Sequence, residues 1–171
     1  MVIVGIDPGT ATTGYGVVEL REGRIGARDF GVIRTPAGVP LPQRLKFIYD
    51  NIGRLLDEHA PSVIVVEQLF FSRNTTSAFA VGQARGVLLL AAAQRHVDVV
   101  EYTPMEVKVG VTGKGRATKE QVAFMVRALL SLDRTPRPDD AADALAMALC
   151  HAYRAGAEGR TRRALRGGNA P

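Results

Sequence analysis

The chain has 171 residues, 46% of them apolar, with 22 Lys and Arg against 17 Asp and Glu, a net charge of +5 and a pI of about 9.8. That is enough to bury one good core, too little for two large domains, and too apolar for a chain disordered throughout; the lone Cys150 excludes an internal disulfide. No apolar run reaches the ~18 residues of a membrane-spanning helix, and Met1 leads straight into an apolar strand instead of a signal peptide, so a cytoplasmic protein with no membrane association is expected.

The first element, Val2-Ile3-Val4-Gly5-Ile6, is apolar at every position, as in a parallel strand covered on both faces, and it ends in Asp7. Pro8-Gly9 turns the chain into a second strand, Gly14 to Leu20; the loop Arg21-Glu22-Gly23-Arg24 then reads as a hairpin into a third strand, Ile25 to Ile33. Leu41, Leu45, Ile48, Ile52, Leu55 and Leu56 recur at helical spacing up to about His59, and Pro61 stops that helix. A fourth strand, Val63 to Val66, ends in Glu67, followed by Phe70, Phe71 and the polar run Ser72-Arg73-Asn74. A helix from about Asn74 to Arg95 and a strand from Val97 to Tyr102 come next. Gly110 to Ala117 reads as a glycine-rich basic loop, and Thr118 caps a helix running to Leu130. The last helix spans about Asp139 to Tyr153, behind Pro136 and Pro138. From residue 156 onward Gly, Arg and Ala dominate, which predicts a basic, disordered tail over 156–171 behind one domain over 1–155. The order βββαβαβαα fits an α/β fold with a five-stranded mixed sheet flanked by helices on both faces.

Carboxylates recur at the ends of these elements. Asp7 and Glu67 close two apolar strands, where open α/β sheets bind ligands, and Asp139, Asp140 and Asp143 open the last helix. Acids gathered from separate elements repel one another and resist ionisation unless a cation neutralises them. With neither His nor Cys in the group, the donors are hard oxygens, suited to Mg2+ or Mn2+. Spacing leaves the helix register open: Asp140 and Asp143 share a face, but so do Asp139 and Asp143. Around the pair Ala141, Ala142, Ala144, Ala146 and Ala148 are small, which lets the helix lie close to the sheet. An acidic site in a basic protein suits a polyanion gripped by its phosphates and approached through metal. His59, His96 and His151 read as surface or helix-end residues, outside that chemistry.

The stretches GIDPGTATTGYGVV, VEQLFFSRN, GQARGV and DDAADALAMAL together resemble the RuvC family of Holliday-junction resolvases, in the ribonuclease H-like superfamily, and the likeness runs from Met1 to about Tyr153. The resemblance implies a homodimeric endonuclease that nicks two opposed strands of a four-way DNA junction symmetrically, in recombination and repair, with two metal ions per site. It maps the catalytic and metal-binding acids onto Asp7, Glu67, Asp140 and Asp143, because the D-A-A-D stretch begins at Asp140. DNA-binding lysines correspond to Lys108 and Lys119, and a base-stacking aromatic to Phe70; Arg73, Lys114 and Arg116 are further expected DNA contacts. A branch-migration helicase complex of RuvA and RuvB is the implied partner. Two alternatives compete. Asp7-Pro8-Gly9-Thr10 followed by Gly14 resembles the first phosphate loop of the actin and sugar-kinase ATPases, which need two such domains; a non-catalytic DNA-binding relative would be basic but would not need four placed acids.

Overall fold

The computed structural model describes residues 1–68 and 75–167, with side chains over 1–68 and 79–159. Strands β1 (Val2–Asp7), β2 (Thr12–Arg21) and β3 (Arg24–Arg34) are followed by helix α1 (Leu41–His59), strand β4 (Val63–Glu67), helix α2 (Thr75–Gln94), strand β5 (Asp98–Tyr102) and helices α3 (Pro104–Thr112), α4 (Lys119–Leu129) and α5 (Asp139–Gly167). They build one mixed sheet in the order β3-β2-β1-β4-β5. β1 pairs antiparallel with β2, β2 antiparallel with β3, and β4 lies parallel between β1 and β5. Among the described residues no helix is long and apolar enough to cross a membrane.

Each face of the sheet carries its own core. Val4, Ile6, Val17, Ile64 and Val66 pack with Ile48, Ile52 and Leu56 of α1 and with Ala84, Leu88 and Ala91 of α2. On the other face Ile3, Val18, Val63 and Val65 pack with Val107 of α3, Val122 and Val126 of α4, and Leu145 and Leu149 of α5. This explains why β1 and β4 read as continuous apolar runs: alternate residues face alternate helix layers. The same alternation aims the strand ends. Ile3 and Gly5 face α5, and so by parity does Asp7; Val63 and Val65 face it, and so does Glu67.

At three glycines of β1 and β2, α5 lies directly against the sheet. A methyl group at Gly5 would sit 2.0 Å from the Ala144 carbonyl oxygen, one at Gly14 would sit 2.1 Å from that of Asp140, and one at Gly16 would sit 2.7 Å from Leu145 Cγ. Gly5 pairs with Gly16 and Asp7 with Gly14 across β1 and β2, so the three glycines form a seat along two neighbouring strands. The alanines anticipated on the helix, Ala141, Ala142, Ala144, Ala146 and Ala148, are all buried, and Ala144 and Ala148 lie against Gly5.

Two expectations need correction. The segment before residue 113 was expected to be loop from Gly110 onward, but Pro104–Thr112 is helical. Thr103 caps it by accepting from the Glu106 N–H at 3.1 Å while the Glu106 carboxylate accepts from the Thr103 N–H at 2.9 Å, and Gly113 ends it in a left-handed conformation. The loop is thereby shortened to the residues between Thr112 and Lys119. α5, expected to stop near Tyr153 ahead of an irregular tail, runs on to Gly167. Ala, Glu and Arg between residues 155 and 166 are good helix formers, so the helix propagates past the end of its buried face.

Candidate active site

The C-terminal ends of β1 and β4 and the first turns of α5 meet at a cleft of about 370 Å³ lined by Asp7, Glu67, Asp143, Lys108, Lys119 and Met147 among others. Asp7 and Glu67 are neighbours because Ile6 pairs with Val66 in parallel register and each acid is the next residue along. Immediately after Asp7 the chain is braced by two buried threonines. Thr13 Oγ1 donates to the Gly9 carbonyl at 2.8 Å, and Thr35 Oγ1 donates to that of Thr10 at 2.7 Å. Sequence reasoning assigned neither residue a role; a Thr following a Pro-Gly turn by a few residues was the available signal.

The acids act on one another. Asp7's carboxyl is pushed up from its ordinary 3.8 to about 7, first by burial and then by the negative charges of Asp143, Asp140 and Glu67, with the Lys119 ammonium opposing. Glu67 is raised by burial and by Asp143, again against Lys119. Lys119 donates to Asp143 Oδ2 at 3.0 Å, and that bond holds its own proton more tightly than usual. Asp140, not Asp139, belongs to this group. Asp139 is exposed, bonded to Arg137 at 2.5 Å, and absent from the influences on Asp7. Lys108 reaches the cleft from α3, whereas Lys114 and Arg116 stand exposed on the loop and do not line it. Phe70 and Arg73 lie outside the described residues. Of the histidines, His151 departs from its expected surface role, its Nδ1 lying 2.8 Å from the Tyr102 hydroxyl in a half-buried setting; none joins the acids.

The donor chemistry suits a divalent cation. Asp7, Glu67 and Asp143 line one cleft with Lys108 and Lys119, Asp140 acts on Asp7 from beside it, and burial together with mutual repulsion holds Asp7 partly protonated near neutrality. Among the described residues no three His, Cys, Asp or Glu side chains are drawn together closely enough to hold a metal ion as they stand. The arrangement is an open set of carboxylates in which Lys119 supplies the local positive charge.

Asp7's raised pKa has a measurable sign. Between pH 3.8 and about 7 the folded protein keeps a proton that the unfolded chain has released. In metal-free protein, stability from this group therefore falls as pH rises through that window, by up to ~1.4 kcal/mol per pH unit, and the penalty is complete above it. Thermal melts in EDTA should show the fall between about pH 5 and about pH 7 in the native sequence and a flatter profile for Asp7→Asn. Parallel profiles would mean that Asp7 titrates normally.

The room that Gly14 leaves on β2 is taken by the Asp140 backbone.

The chain resembles known proteins over nearly its whole length. The family described as crossover junction endodeoxyribonuclease RuvC matches residues 3–151. The RuvC of Desulfitobacterium hafniense is 55% identical over 153 residues, covering 90% of this chain and 93% of that protein, and the RuvC of Moorella thermoacetica is 57% identical over 152 residues, covering 89% and 91%. The Thermus thermophilus RuvC structure in complex with a Holliday junction superposes with a TM-score of 0.87 at 40% identity, covering 92% of this chain and 96% of that one. With a five-stranded sheet of ribonuclease H-like type, an acid cluster at its strand ends and relatives of this closeness, the chain belongs to the RuvC family of crossover junction endodeoxyribonucleases.

Proposed function

We propose that Asp7, Glu67, Asp140 and Asp143 hold divalent metal, Mg2+ or Mn2+ and two ions per site, for hydrolysis of phosphodiester bonds in four-way DNA junctions. The observation that carries this is geometric: Asp7 and Glu67 at neighbouring strand ends line one cleft with Asp143 of α5, and burial together with the charges of Asp143, Asp140 and Glu67 raises the Asp7 carboxyl. Nucleases of this family depend on metal. Held by these carboxylates, metal would supply an activated water and charge stabilisation at the leaving 3′ oxygen, which would give 5′ phosphate and 3′ hydroxyl ends.

The chain's own groups do the rest. The strand ends fix Asp7 and Glu67 relative to each other, and α5 brings Asp140 and Asp143 over them. Lys119 and Lys108 face the same cleft with cationic heads, placed to hold a phosphate beside the acids. With metal and substrate present, Lys119 exchanges Asp143 for a phosphate oxygen. Phe70, which follows Glu67 by three residues, is the residue we assign to stacking on an unpaired base at the junction centre, with Arg73, Lys114 and Arg116 binding backbone phosphates near it. Family membership further supports cytoplasmic work in recombination and repair alongside a RuvA and RuvB helicase complex.

The test is direct. A four-way junction labelled on each strand in turn, incubated with protein and Mg2+, should yield paired nicks at symmetric positions on two opposed strands, while a linear duplex of the same sequence is left intact. Equal cutting of both substrates would set the reading aside.

We also propose a two-fold dimer through α2. This helix is apolar on both sides: Ala84, Leu88, Ala91 and Ala92 face the core, while Phe79, Leu89 and Leu90 are exposed. Gly82 and Gly86 lie among the exposed residues with nothing within 4 Å of where a side chain would begin. Inside a helix each glycine costs ~1 kcal/mol relative to Ala, and close approach of a second helix would offset this. A dimer puts two active sites on two strands of a symmetric junction. Gly82→Leu should fold normally but sediment as a monomer at micromolar concentration and lose paired nicking. A native protein that is itself monomeric under those conditions would remove the interface.

A further inference from the structure

Arg85 is the one charged side chain in the buried set among the described residues. It lies midway along α2 and touches none of the four acids' carboxylates. Its Nη1 donates to the main-chain carbonyl of Glu67 at 3.0 Å, and its Nη2 forms an ion pair with Glu101 of β5. On the next residue, the Gln68 N–H donates to the Tyr102 carbonyl at 2.8 Å. The last peptide groups of β4 are thus held from one side by the β5 backbone and from the other by a guanidinium rooted in α2. β4 ends at Glu67.

Burying a guanidinium is costly, and an apolar side chain would fill the same space without that cost, so an ion pair there is weak grounds for stability. The geometry contains a more specific use. A planar guanidinium presents separate N–H groups in a fixed fork and can bind a carbonyl and a carboxylate at once; a lysine ammonium lacks that fixed geometry. A strand's last carbonyl has no ladder partner to fix it once the sheet ends, and a rotation of that peptide would swing the Glu67 side chain away from Asp7 and Asp143.

We propose that Arg85 is a positioning residue that fixes the terminal peptide of β4 and thereby the direction of the Glu67 carboxylate. The inference rests on Glu67 serving as a metal ligand. Because Arg85 sits between Gly82, Gly86 and Leu89 in sequence, on the helix assigned to the dimer contact, the same guanidinium ties that helix to the site.

The experiment compares Arg85→Met, Arg85→Lys, the exchanged pair Arg85→Glu with Glu101→Arg, and Glu67→Gln as reference. Mn2+ affinity is read by electron paramagnetic resonance, junction affinity in Ca2+, and single-turnover cleavage in Mg2+. Arg85→Met should weaken Mn2+ binding about fivefold and slow cleavage about tenfold, with junction affinity unchanged, because a misdirected ligand harms the metal step rather than phosphate contact. Arg85→Lys should fall between. The exchanged pair restores an ion pair but places a carboxylate where the carbonyl needs a donor, so it should stay as defective as Arg85→Met. Recovery of metal affinity and cleavage in the exchanged pair would show the role to be the α2 to β5 tie alone and overturn the proposal. If Arg85→Met does not fold by circular dichroism, Arg85→Lys decides: native Mn2+ affinity and native cleavage in that variant overturn the proposal equally. Glu67→Gln that binds Mn2+ and cuts normally would instead remove the site assignment itself.

Discussion

Asp7→Asn is expected to slow junction cleavage by at least about 1000-fold, on the order of 4 kcal/mol of transition-state stabilisation, while junction binding measured in Ca2+ stays within about twofold. Asp7 is buried more deeply than Glu67 and is the acid on which the charges of the other three all act. Turning it into an amide removes a charged ligand from the centre of the group but leaves the cationic groups that meet phosphate untouched. Glu67→Gln, Asp140→Asn and Asp143→Asn should follow the same pattern. Asp139→Asn should cut normally, since Asp139 is paired with Arg137 at the exposed start of α5. An essential Asp139 with a dispensable Asp140 would shift the register of α5 over the site. Weak binding by Asp7→Asn in proportion to its lost cleavage would mean that the acid serves DNA contact, not chemistry.

The second large effect concerns the glycine seat. Gly14→Ala places a methyl group 2.1 Å from the Asp140 carbonyl oxygen and 2.9 Å from its Cβ, and no flexible side chain can yield to relieve the first contact. α5 must lift at its N-terminus, where its two acids are. Overpacking of this kind costs roughly 3 kcal/mol or more, which corresponds to a drop in Tm of about 6–12 °C for a chain of this size. Cleavage should be lost even well below the melting point. Gly5→Ala meets the Ala144 oxygen further along the helix and should destabilise by as much. Gly26→Ala on β3, with nothing within 4 Å, is the control and should be neutral. A Gly14→Ala protein with native Tm and native cleavage would mean that helix and sheet are less closely seated than described.

Much of this architecture was legible in the residues. The unbroken apolar runs of β1 and β4 announced two-sided burial, and the carboxylate at the end of each run marked the site, because a charge cannot continue such a strand. The register of α5 was not legible from spacing, since Asp139 and Asp140 are equally placed relative to Asp143; the family resemblance pointed to Asp140, which in the structure acts on Asp7 while Asp139 pairs with Arg137. α3 was missed because its buried residues, Val107 and Val111, are too few to make a stripe, although Thr103-Pro104 followed by Glu106 is a helix-start signature. Lys108 was therefore expected beside a loop and stands on a capped helix instead, which holds it at the cleft more firmly. The length of α5 was misread for the opposite reason: residues past 155 offer no face to bury, and composition alone does not say that a helix already begun will propagate through them.

The seat has a mechanical consequence. Asp7 and Glu67 ride on hydrogen-bonded neighbouring strands whose spacing, ~4.8 Å, is common to all sheets and does not adjust to repacking. Asp140 and Asp143 ride on a helix seated on the glycines of β1 and β2 and packed with Val63 and Val65 of β4, by contact alone and without a shared ladder of hydrogen bonds. The site therefore has one rigid coordinate and one compliant coordinate, the latter being travel of α5 along its groove. Attempts to retune the enzyme for a larger or smaller cation should act on residues that set that travel, such as Ala141, Ala144 and the glycines beneath them, because the strand pair offers no freedom to exploit.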